Sequence, residues 1–287
     1  TKSAAVVKCP HGTTLSASLL SLAAAVAAPD HPLTRNLSLV YWQGGDETIE
    51  SSLFLPNAFD RIVVWGSSET VASVQSRAPF SRVISFNPRY SVSLIGRESF
   101  GDDLEDVAAR ACVDSLIHNQ KACSSSLVHY VEGSEEQANL YAEKVQRTLA
   151  KWDAQMPQFV APAARGQIKR MKRGKYAGAR WYLNGGEDGF TSGVMAPSGE
   201  FDVLDHPACR LVVVRRVDDL HDALAYLHQG VSTTGVYPEE RRLALKDSIL
   251  ARGVSSVLPL GQCERIFPGM PHDGMMVLSQ LVDWKNG

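Results

Sequence analysis

The sequence has little cysteine, and no two of its cysteines form a C-x-x-C pair. The 287-residue chain contains five of them, which is an odd number, and they are widely spaced: Cys9, Cys112, Cys123, Cys209 and Cys263. This spacing disfavours both a disulfide framework and a zinc site. We therefore predict no metal centre, and we expect the reducing environment of the cytoplasm.

The chain also lacks a strong net charge. Its formal net charge is -2 at pH 7, so the protein as a whole has no attraction to nucleic acid or to an anionic membrane. The apolar run from Leu15 to Ala28 resembles a secretory signal, but serines interrupt it and it is too short to span a bilayer. We predict a buried helix there and no transmembrane segment.

Short strand-like and helix-like segments alternate along the first third of the chain. The apolar runs predict strands at 4–7, 37–42, 62–65 and 83–86 and helices at 14–27, 47–54 and 68–78. This alternation predicts an α/β fold with a mostly parallel sheet, in which ligands bind at the carboxyl ends of the strands. Two loops stand at such ends, Lys8 to His11 and Gly66 to Ser68.

The rest of the chain predicts further elements of both kinds. Helices are expected at 104–117, 135–152, 220–228, 239–251 and 275–284, and strands at 127–131, 211–215, 234–236 and 255–258. The segment from Ala161 to Gly189 is basic, and we predict it to be irregular.

Cys123 follows a polar turn between a predicted helix and a predicted strand. A thiolate is a strong nucleophile and a good leaving group, so a cysteine at such a boundary can form a thioester with a substrate. Asn119 and the backbone N–H groups of the turn could hold an oxyanion, and His118 or His129 could act as base. The alternative is a buried structural cysteine.

Three other sites have both a functional and a structural interpretation. Gly66 and Ser67 could admit a phosphate at a helix N-terminus, or Ser68 could simply cap the helix. Seven basic residues between Arg165 and Arg180 could bind a polyphosphate such as coenzyme A, or could form a solvated loop. His272 and Asp273 could line an active-site entrance, or Asp273 could cap the last helix.

Several short motifs resemble those of the aldehyde dehydrogenase superfamily. Val6-Val7-Lys8-Cys9-Pro10-His11 resembles its V-x-K-P-[SA]-E strand end, and Trp65-Gly66-Ser67-Ser68-Glu69 resembles its F-x-G-S-T-x turn. Within that superfamily, the chain resembles the LuxC family of long-chain acyl-CoA reductases of bacterial bioluminescence operons. This resemblance rests on an N-Q-x-A-C-S-S motif ending at Ser125 and a G-M-P-H-D-G motif ending at Gly274.

This resemblance implies an aldehyde-dehydrogenase-like fold in three parts. Residues 1–88 would form the C-terminal part of a Rossmann-like NAD(P)-binding domain, 89–258 a catalytic domain, and 259–287 a segment that closes the active site. Lys8, His11, Gly66 and Ser67 would then bind the cofactor, and Cys123, Asn119 and His272 would be catalytic. Family members also carry more than a hundred residues before the Lys8 strand. We expect that segment to be missing here or supplied by another chain, and the family implies a homo-oligomer.

Two departures from the superfamily pattern bear on the reaction. Hydrolytic members carry a glutamate in an E-L-G-G segment, where this chain reads Ser85-Phe86-Asn87-Pro88 and has no carboxylate. A thioester on Cys123 would therefore hydrolyse slowly and survive to be reduced by hydride. His11 replaces a ribose-binding glutamate, which favours NADPH, with NADH as the other cofactor considered.

We therefore expect NADPH-dependent reduction of a fatty acyl thioester, carried by coenzyme A or an acyl carrier, to an aldehyde. Two alternatives remain open at this point. One is an aldehyde dehydrogenase that oxidises an aldehyde to an acid. The other is a non-catalytic acyl-binding or scaffold protein, and the missing N-terminal segment is its best support.

Overall fold

The computed structural model describes residues 3–78 and 82–283, and the chain divides into two compact units. The first unit contains the described residues up to Asn87 together with those from Met276 onward, and the second unit contains Pro88–Met275.

The first unit contains two pairs of parallel strands. Strand β1 (Ala5–Lys8) pairs with β2 (Leu37–Val40), and β3 (Arg61–Trp65) pairs with β4 (Arg82–Phe86). Four helices stand between these strands along the chain: α1 (Thr14–Ala27), α2 (Pro32–Asn36), α3 (Glu47–Leu53) and α4 (Ser68–Arg77). The alternation predicted for this part of the chain is confirmed, with α2 as an addition that the sequence pattern did not indicate.

Helix α1 has the predicted bounds but not the predicted burial. None of its residues is buried within the described part of the chain, and Leu15 is 73% exposed while Val26 is 77% exposed. The prediction of a buried helix is therefore wrong here. An apolar run favours helix formation by itself, but its burial depends on a second element that the run does not specify.

The second unit is built on a seven-stranded sheet with the order β11-β10-β5-β6-β9-β8-β7. Neighbouring strands are parallel except for β7 and β8, which are antiparallel. The strand bounds are β5 Tyr90–Ile95, β6 Ser126–Glu132, β7 Arg180–Asn184, β8 Ser192–Ala196, β9 Leu211–Val217, β10 Val231–Tyr237 and β11 Ser256–Pro259. The helices are α5 Leu104–Leu116, α6 Glu135–Gln155, α7 Pro162–Arg173, α8 Leu220–Ala223 and α9 Glu239–Leu250.

Both faces of this sheet are covered by apolar side chains. Leu211 and Val213 of β9 point into one core, whereas Val212 and Val214 point into the other, together with residues of α5 and α6. A strand buried on both faces is continuously apolar, as β9 is, because successive side chains point to opposite sides. The predicted α/β class is confirmed.

Three strands of the sheet, β5, β7 and β8, were not predicted, and one segment was predicted wrongly. Strand β5 carries Ser91 and Ser93, whose polar side chains interrupt the apolar pattern although both residues are fully buried. The basic segment 161–189 is not irregular, since it contains α7 and β7. Pro162 starts α7 at a position that suits its fixed φ, and Ile168 and Met171, three residues apart, bury one face of the helix.

The chain after β9 also differs from prediction in two helices. The helix expected at 220–228 ends at Ala223 and continues as a 3₁₀ turn, Leu224–Tyr226. The closing helix expected at 275–284 is reduced to α10 (Val277–Gln280), and the predicted end at Trp284 lies outside the described residues. Among the described residues, no helix is both long enough and apolar enough to cross a membrane.

Candidate active site around Cys123

The loop that carries Cys123 leaves α5 and enters β6 through an unusual backbone path. Three consecutive residues, His118, Asn119 and Gln120, have positive φ values of 51°, 53° and 63°. Each such residue costs free energy and persists only where the surroundings hold it, and clusters of this kind are typical of functional sites. Asn and His tolerate this region better than most residues, which makes the sequence compatible with the path.

Side chains hold this loop from several directions. The Gln120 amide donates to the Leu211 carbonyl at 2.8 Å, and the Ser125 hydroxyl donates to the Ile117 carbonyl at 2.8 Å. The guanidinium of Arg210, which is 3% exposed, donates to Asn119 Oδ1 at 2.9 Å and to Asp153 Oδ1 at 2.9 Å. The buried ion pair between Arg210 and Asp153 thus fixes the side-chain oxygen of Asn119 and orients the rest of that amide.

The thiol of Cys123 is partly buried and lies among polar groups. The backbone N–H of Ser124 and the side chain of Ser232 lie beside it. Cys123 Sγ, a His272 ring nitrogen and an Asp273 carboxylate oxygen all lie within 4.8 Å of one another. The structure therefore brings together two residues that the sequence analysis proposed separately, Cys123 and His272.

A tight turn presents His272 and Asp273 to the thiol. His272 and Met275 exchange both backbone hydrogen bonds at 2.9 Å, and the two central residues, Asp273 and Gly274, have φ values of 49° and 79°. Positive φ at both central positions is the requirement that Asp-Gly satisfies well. Asp273 does not cap the last helix, because the N-cap of α10 is Met276 and it makes no side-chain cap bond.

Asp273 is oriented by a second contact. Its side chain is 7% exposed, and its Oδ1 accepts a 2.7 Å hydrogen bond from the Ser232 hydroxyl. Its other oxygen, Oδ2, lies 3.7 Å from His272 Nε2. Ser232 therefore fixes the carboxylate, which lies beside the imidazole.

Burial raises the pKa of the Cys123 thiol, and the nearby carboxylates of Asp273 and Glu264 raise it further. The Ser232 side chain and the Ser124 N–H, as polar neighbours, lower the pKa of the thiol and so act in the opposite direction. A thiol with a raised pKa is protonated at neutral pH, so its attack on a substrate requires a nearby group that accepts the proton.

Glu264 and Asp114 are two residues of this site that sequence reasoning missed. The Ser124 hydroxyl donates a short hydrogen bond to the Glu264 carboxylate. The loop before Glu264 is fixed by Asp114, a fully buried residue of α5, whose carboxylate accepts from the N–H of Gly261 at 2.7 Å and of Cys263 at 2.9 Å. These partners are well over a hundred positions apart in sequence, so no local pattern could have indicated them.

The residues proposed to bind a cofactor lie in the first unit. Gly66 and Ser67 form the turn between β3 and α4, and Ser67, not Ser68, caps the helix by accepting a 3.3 Å hydrogen bond from Thr70 N. Lys8 ends β1, with its ammonium 5.2 Å from the centre of the Trp42 ring. His11 accepts or donates a 2.9 Å hydrogen bond with the Tyr41 hydroxyl.

Five of the seven basic residues between Arg165 and Arg180 are paired with acidic residues of the second unit. The ion pairs are Lys169–Asp188, Lys172–Glu187, Arg173–Glu187, Lys175–Asp205 and Arg180–Glu135. A polyphosphate would have to compete with these carboxylates, so the segment has less positive charge to offer than its sequence indicates.

The fold is that of the aldehyde dehydrogenases. The chain is similar to aldehyde dehydrogenase 21 from Physcomitrella patens, solved with succinate, at a TM-score of 0.73 and 14% identity, over 93% of this chain and 56% of that one. It is also similar to an aldehyde dehydrogenase C mutant from Pseudomonas syringae, solved with NAD+ and octanal, at a TM-score of 0.69 and 17% identity, over 94% of this chain and 57% of that one. The expected fold is confirmed.

The chain belongs to the acyl-CoA reductase (LuxC) family, whose model matches residues 1–284. Relatives named long-chain acyl-protein thioester reductase are 26% identical in Photorhabdus laumondii and 24% identical in Vibrio harveyi. These matches cover 99% and 98% of this chain but 58% of each relative. The predicted family resemblance is confirmed, and the chain spans little more than half the length of these relatives.

Proposed function

We propose that this chain carries the nucleophile of an NADPH-dependent (or NADH-dependent) reductase that converts a fatty acyl thioester to an aldehyde. The observation that carries the proposal is the grouping of the Cys123 thiol with His272, Asp273 and Ser232 in a strained, tethered loop. The acyl donor is a thioester of coenzyme A or of an acyl carrier protein, which agrees with the names of the relatives.

Acylation begins when Cys123 attacks the carbonyl carbon of the substrate. The bond from sulfur to carbon forms, the bond from carbon to the donor's sulfur breaks, and the donor leaves as a thiol. The imidazole of His272 is placed to accept the proton of the Cys123 thiol and then to pass it to the departing sulfur. Asp273 beside it would stabilise the imidazolium that forms during this transfer.

The developing oxyanion requires hydrogen-bond donors close to the nucleophile. We assign this role to backbone N–H groups of the Cys123 turn and to the amide nitrogen of Asn119. Arg210 already holds the carbonyl oxygen of that amide, so its NH₂ group is the part left to donate. Donors fixed before the reaction lower the barrier because they need no reorganisation when charge develops.

The residues of the first unit fit a nicotinamide dinucleotide. A Cβ at position 66 would lie 3.0 Å from Thr70 side-chain atoms, so Gly66 keeps a tight turn that leads directly into the N-terminus of α4. A helix N-terminus attracts phosphate, and we assign the pyrophosphate to Gly66 and Ser67 and the ribose to Lys8 and His11. The cofactor, when bound, would supply the hydride that reduces the thioester. The bond from the carbonyl carbon to the Cys123 sulfur would then break, which releases the aldehyde and the thiolate.

A second candidate function, oxidation of an aldehyde to an acid, is favoured by one observation. The thiol lies close to two carboxylates, Asp273 and Glu264, which are the kind of group that activates a hydrolytic water. Both carboxylates already accept hydrogen bonds, from Ser232 and Ser124, and the strand end at Ser85 to Pro88 has no acid. We therefore favour reduction and treat hydrolysis as an outcome to be measured.

The decisive experiment is to incubate the protein with radiolabelled long-chain acyl-CoA and to follow its covalent label. We expect a hydroxylamine-labile adduct that is absent in Cys123→Ala and retained in Cys209→Ala. Cys209 is a matched control because it is a buried cysteine in the same unit, two residues before β9. NADPH should then release the label as aldehyde.

Each outcome has a defined meaning. An unlabelled wild-type protein, or label that persists in Cys123→Ala, contradicts the covalent mechanism. Label that appears as free acid indicates the oxidising or hydrolytic function. Label that NADPH cannot discharge indicates the remaining alternative, an acyl-binding protein without reductase activity.

A further inference from the structure

Cys123, His272 and Asp273 present the three ligand types that zinc binds in proteins, namely a thiolate, an imidazole and a carboxylate. One ligand atom from each residue lies within 4.8 Å of the other two. The His272 Nε2 to Asp273 Oδ2 distance of 3.7 Å is close to the roughly 3.3–3.7 Å edge of a tetrahedral zinc site, given bonds of about 2.0–2.3 Å.

We propose that these three residues form a zinc-binding site. The metal ion binds the Cys123 thiolate there and reversibly blocks acylation of the enzyme. Water would complete the tetrahedral coordination at the open side, where the His272 side chain is 53% exposed. Metal binding depends only on these residues, whereas its inhibitory effect also depends on the proposed function of Cys123.

The surroundings of the three ligands resemble those of built metal sites. Asp273 is fixed by the Ser232 hydroxyl on Oδ1, which leaves the Oδ2 side of the carboxylate towards His272. Outer hydrogen bonds of this kind orient ligands and raise metal affinity. The tight turn with Asp273 and Gly274 at its centre holds the imidazole and the carboxylate together without the metal.

The local charge also favours a cation over an anion. Asp273 and Glu264 are the charged groups that act on the Cys123 thiol, and both are acidic. A divalent ion placed here would be attracted by two carboxylates while it binds a third anionic ligand, the thiolate. A thiolate that is bonded to zinc is no longer available to attack a carbonyl carbon.

The prediction from sequence was that no metal centre exists, because the cysteines show no zinc-type spacing. Zinc-type spacing, however, is a feature of local motifs alone. The proposed ligands come from two loops about 150 positions apart, which the sheet and the Asp-Gly turn bring to the same place. The proposed site is therefore invisible to a search for C-x-x-C or similar patterns.

The test uses cobalt as a spectroscopic probe and zinc as the competing ion, with the full chain. We expect wild-type protein to bind one equivalent of Co²⁺ with a sulfur-to-cobalt charge-transfer band, and Zn²⁺ to displace it. The band should disappear in Cys123→Ala, and affinity should fall in His272→Gln and in Asp273→Asn. Ser232→Ala, which removes the hydrogen bond that orients Asp273, should weaken zinc binding by about tenfold or more.

Two variants serve as controls for general effects on folding or on surface binding. Cys209→Ser removes another cysteine of the second unit, and His228→Gln removes another exposed histidine, and both should bind cobalt as wild type does. Absence of stoichiometric binding by wild type, or a band that survives in Cys123→Ala, overturns the proposal.

Metal binding and acylation, measured on the same preparation, distinguish the zinc site from the proposed function. Protein that is acylated by acyl-CoA but binds no metal contradicts the zinc site and leaves the acyl-transfer mechanism intact. Protein that binds zinc through Cys123 but is never acylated supports the site and contradicts the function. If both hold, zinc should prevent acylation and a chelator should restore it.

Discussion

At the scale of single residues, Asp114 is the least obvious contributor to the site. It is fully buried in α5, burial raises its pKa, and it accepts two backbone hydrogen bonds from the loop that leads to Glu264. It touches no reacting atom, so we regard it as a positioning residue. Its effect on chemistry would pass through the Glu264–Ser124 contact to the turn of Cys123.

We predict that Asp114→Ala lowers the rate of Cys123 acylation and destabilises the fold. The loss of the carboxylate leaves two backbone N–H groups without their acceptor, at a cost of about 2–4 kcal/mol in unfolding free energy. Single-turnover labelling with acyl-CoA measures the rate, and urea unfolding measures the stability.

Two comparisons distinguish positioning by Asp114 from general destabilisation. Asp106→Ala changes an exposed acid of the same helix. It should change the free energy of unfolding by no more than about 0.5 kcal/mol and leave the acylation rate close to that of wild type. If the rate at saturating acyl-CoA is unchanged in a folded Asp114→Ala protein, a purely structural role for Asp114 is indicated.

The residues that sequence analysis could find were those inside local motifs. Cys123 and His272 each stood out because their neighbours in the chain formed a recognisable pattern. Ser232, Glu264 and Asp114 did not, because their relation to Cys123 exists only after distant segments meet. The polar side chains of β5, Ser91 and Ser93, were obscured for the same reason, since their partners lie on other strands and loops.

At the scale of elements, the loop between α5 and β6 stores backbone strain that other parts of the second unit must offset. Its three left-handed residues would each cost about 1–3 kcal/mol if nothing held them. Arg210, directly before β9, supplies a tether from outside the loop, through Asn119. The strained loop is therefore rigid because of its neighbours.

We predict that Arg210→Ala destabilises the protein by about 3–5 kcal/mol and strongly slows acylation. Its removal leaves Asp153 as a nearly buried carboxylate without its ion-pair partner and leaves the Asn119 oxygen without its donor. Denaturant unfolding and the labelling rate are the measurements.

Arg216→Ala is the matched comparison, because Arg216 lies on β9, which Arg210 directly precedes, but is exposed. Its ion pair with Asp218 should contribute at most about 1 kcal/mol. Equal effects of the two substitutions would mean that the tether to Asn119 has no special importance for the loop.

At the scale of the whole molecule, the alternation of strands and helices was readable from the sequence, whereas the surfaces of the first unit were not. Helix α1 has the predicted length and an apolar composition, yet none of its residues is buried in the described chain. A helix formed by local propensity acquires burial only from a partner, and the pattern of one segment carries no information about that partner.

The pH dependence of stability follows from two neutral histidines of the second unit, the buried His129 and the partly buried His206. Burial lowers the pKa of His129 to about 3 and that of His206 to about 4, against 6.5 in the unfolded chain. His129 lies between the hydroxyls of Ser115 and Tyr141, at 2.8 and 2.9 Å, which suits an uncharged ring. Below pH 6.5 the unfolded chain binds protons that these rings in the folded protein do not.

We therefore predict that the contribution of these two histidines to the free energy of unfolding is greatest above pH 6.5. It decreases as the pH falls from 6.5 towards their pKa values in the folded protein. Each histidine contributes a loss of up to about 1.4 kcal/mol per pH unit in this window. Urea unfolding at pH 7.5 and at pH 5.0 should show His129→Gln to be less stable than wild type at both values but less sensitive to the change. His221→Gln, which alters an exposed histidine, should keep the wild-type sensitivity. An unchanged sensitivity in His129→Gln would show that His129 is not the group that couples folding to pH.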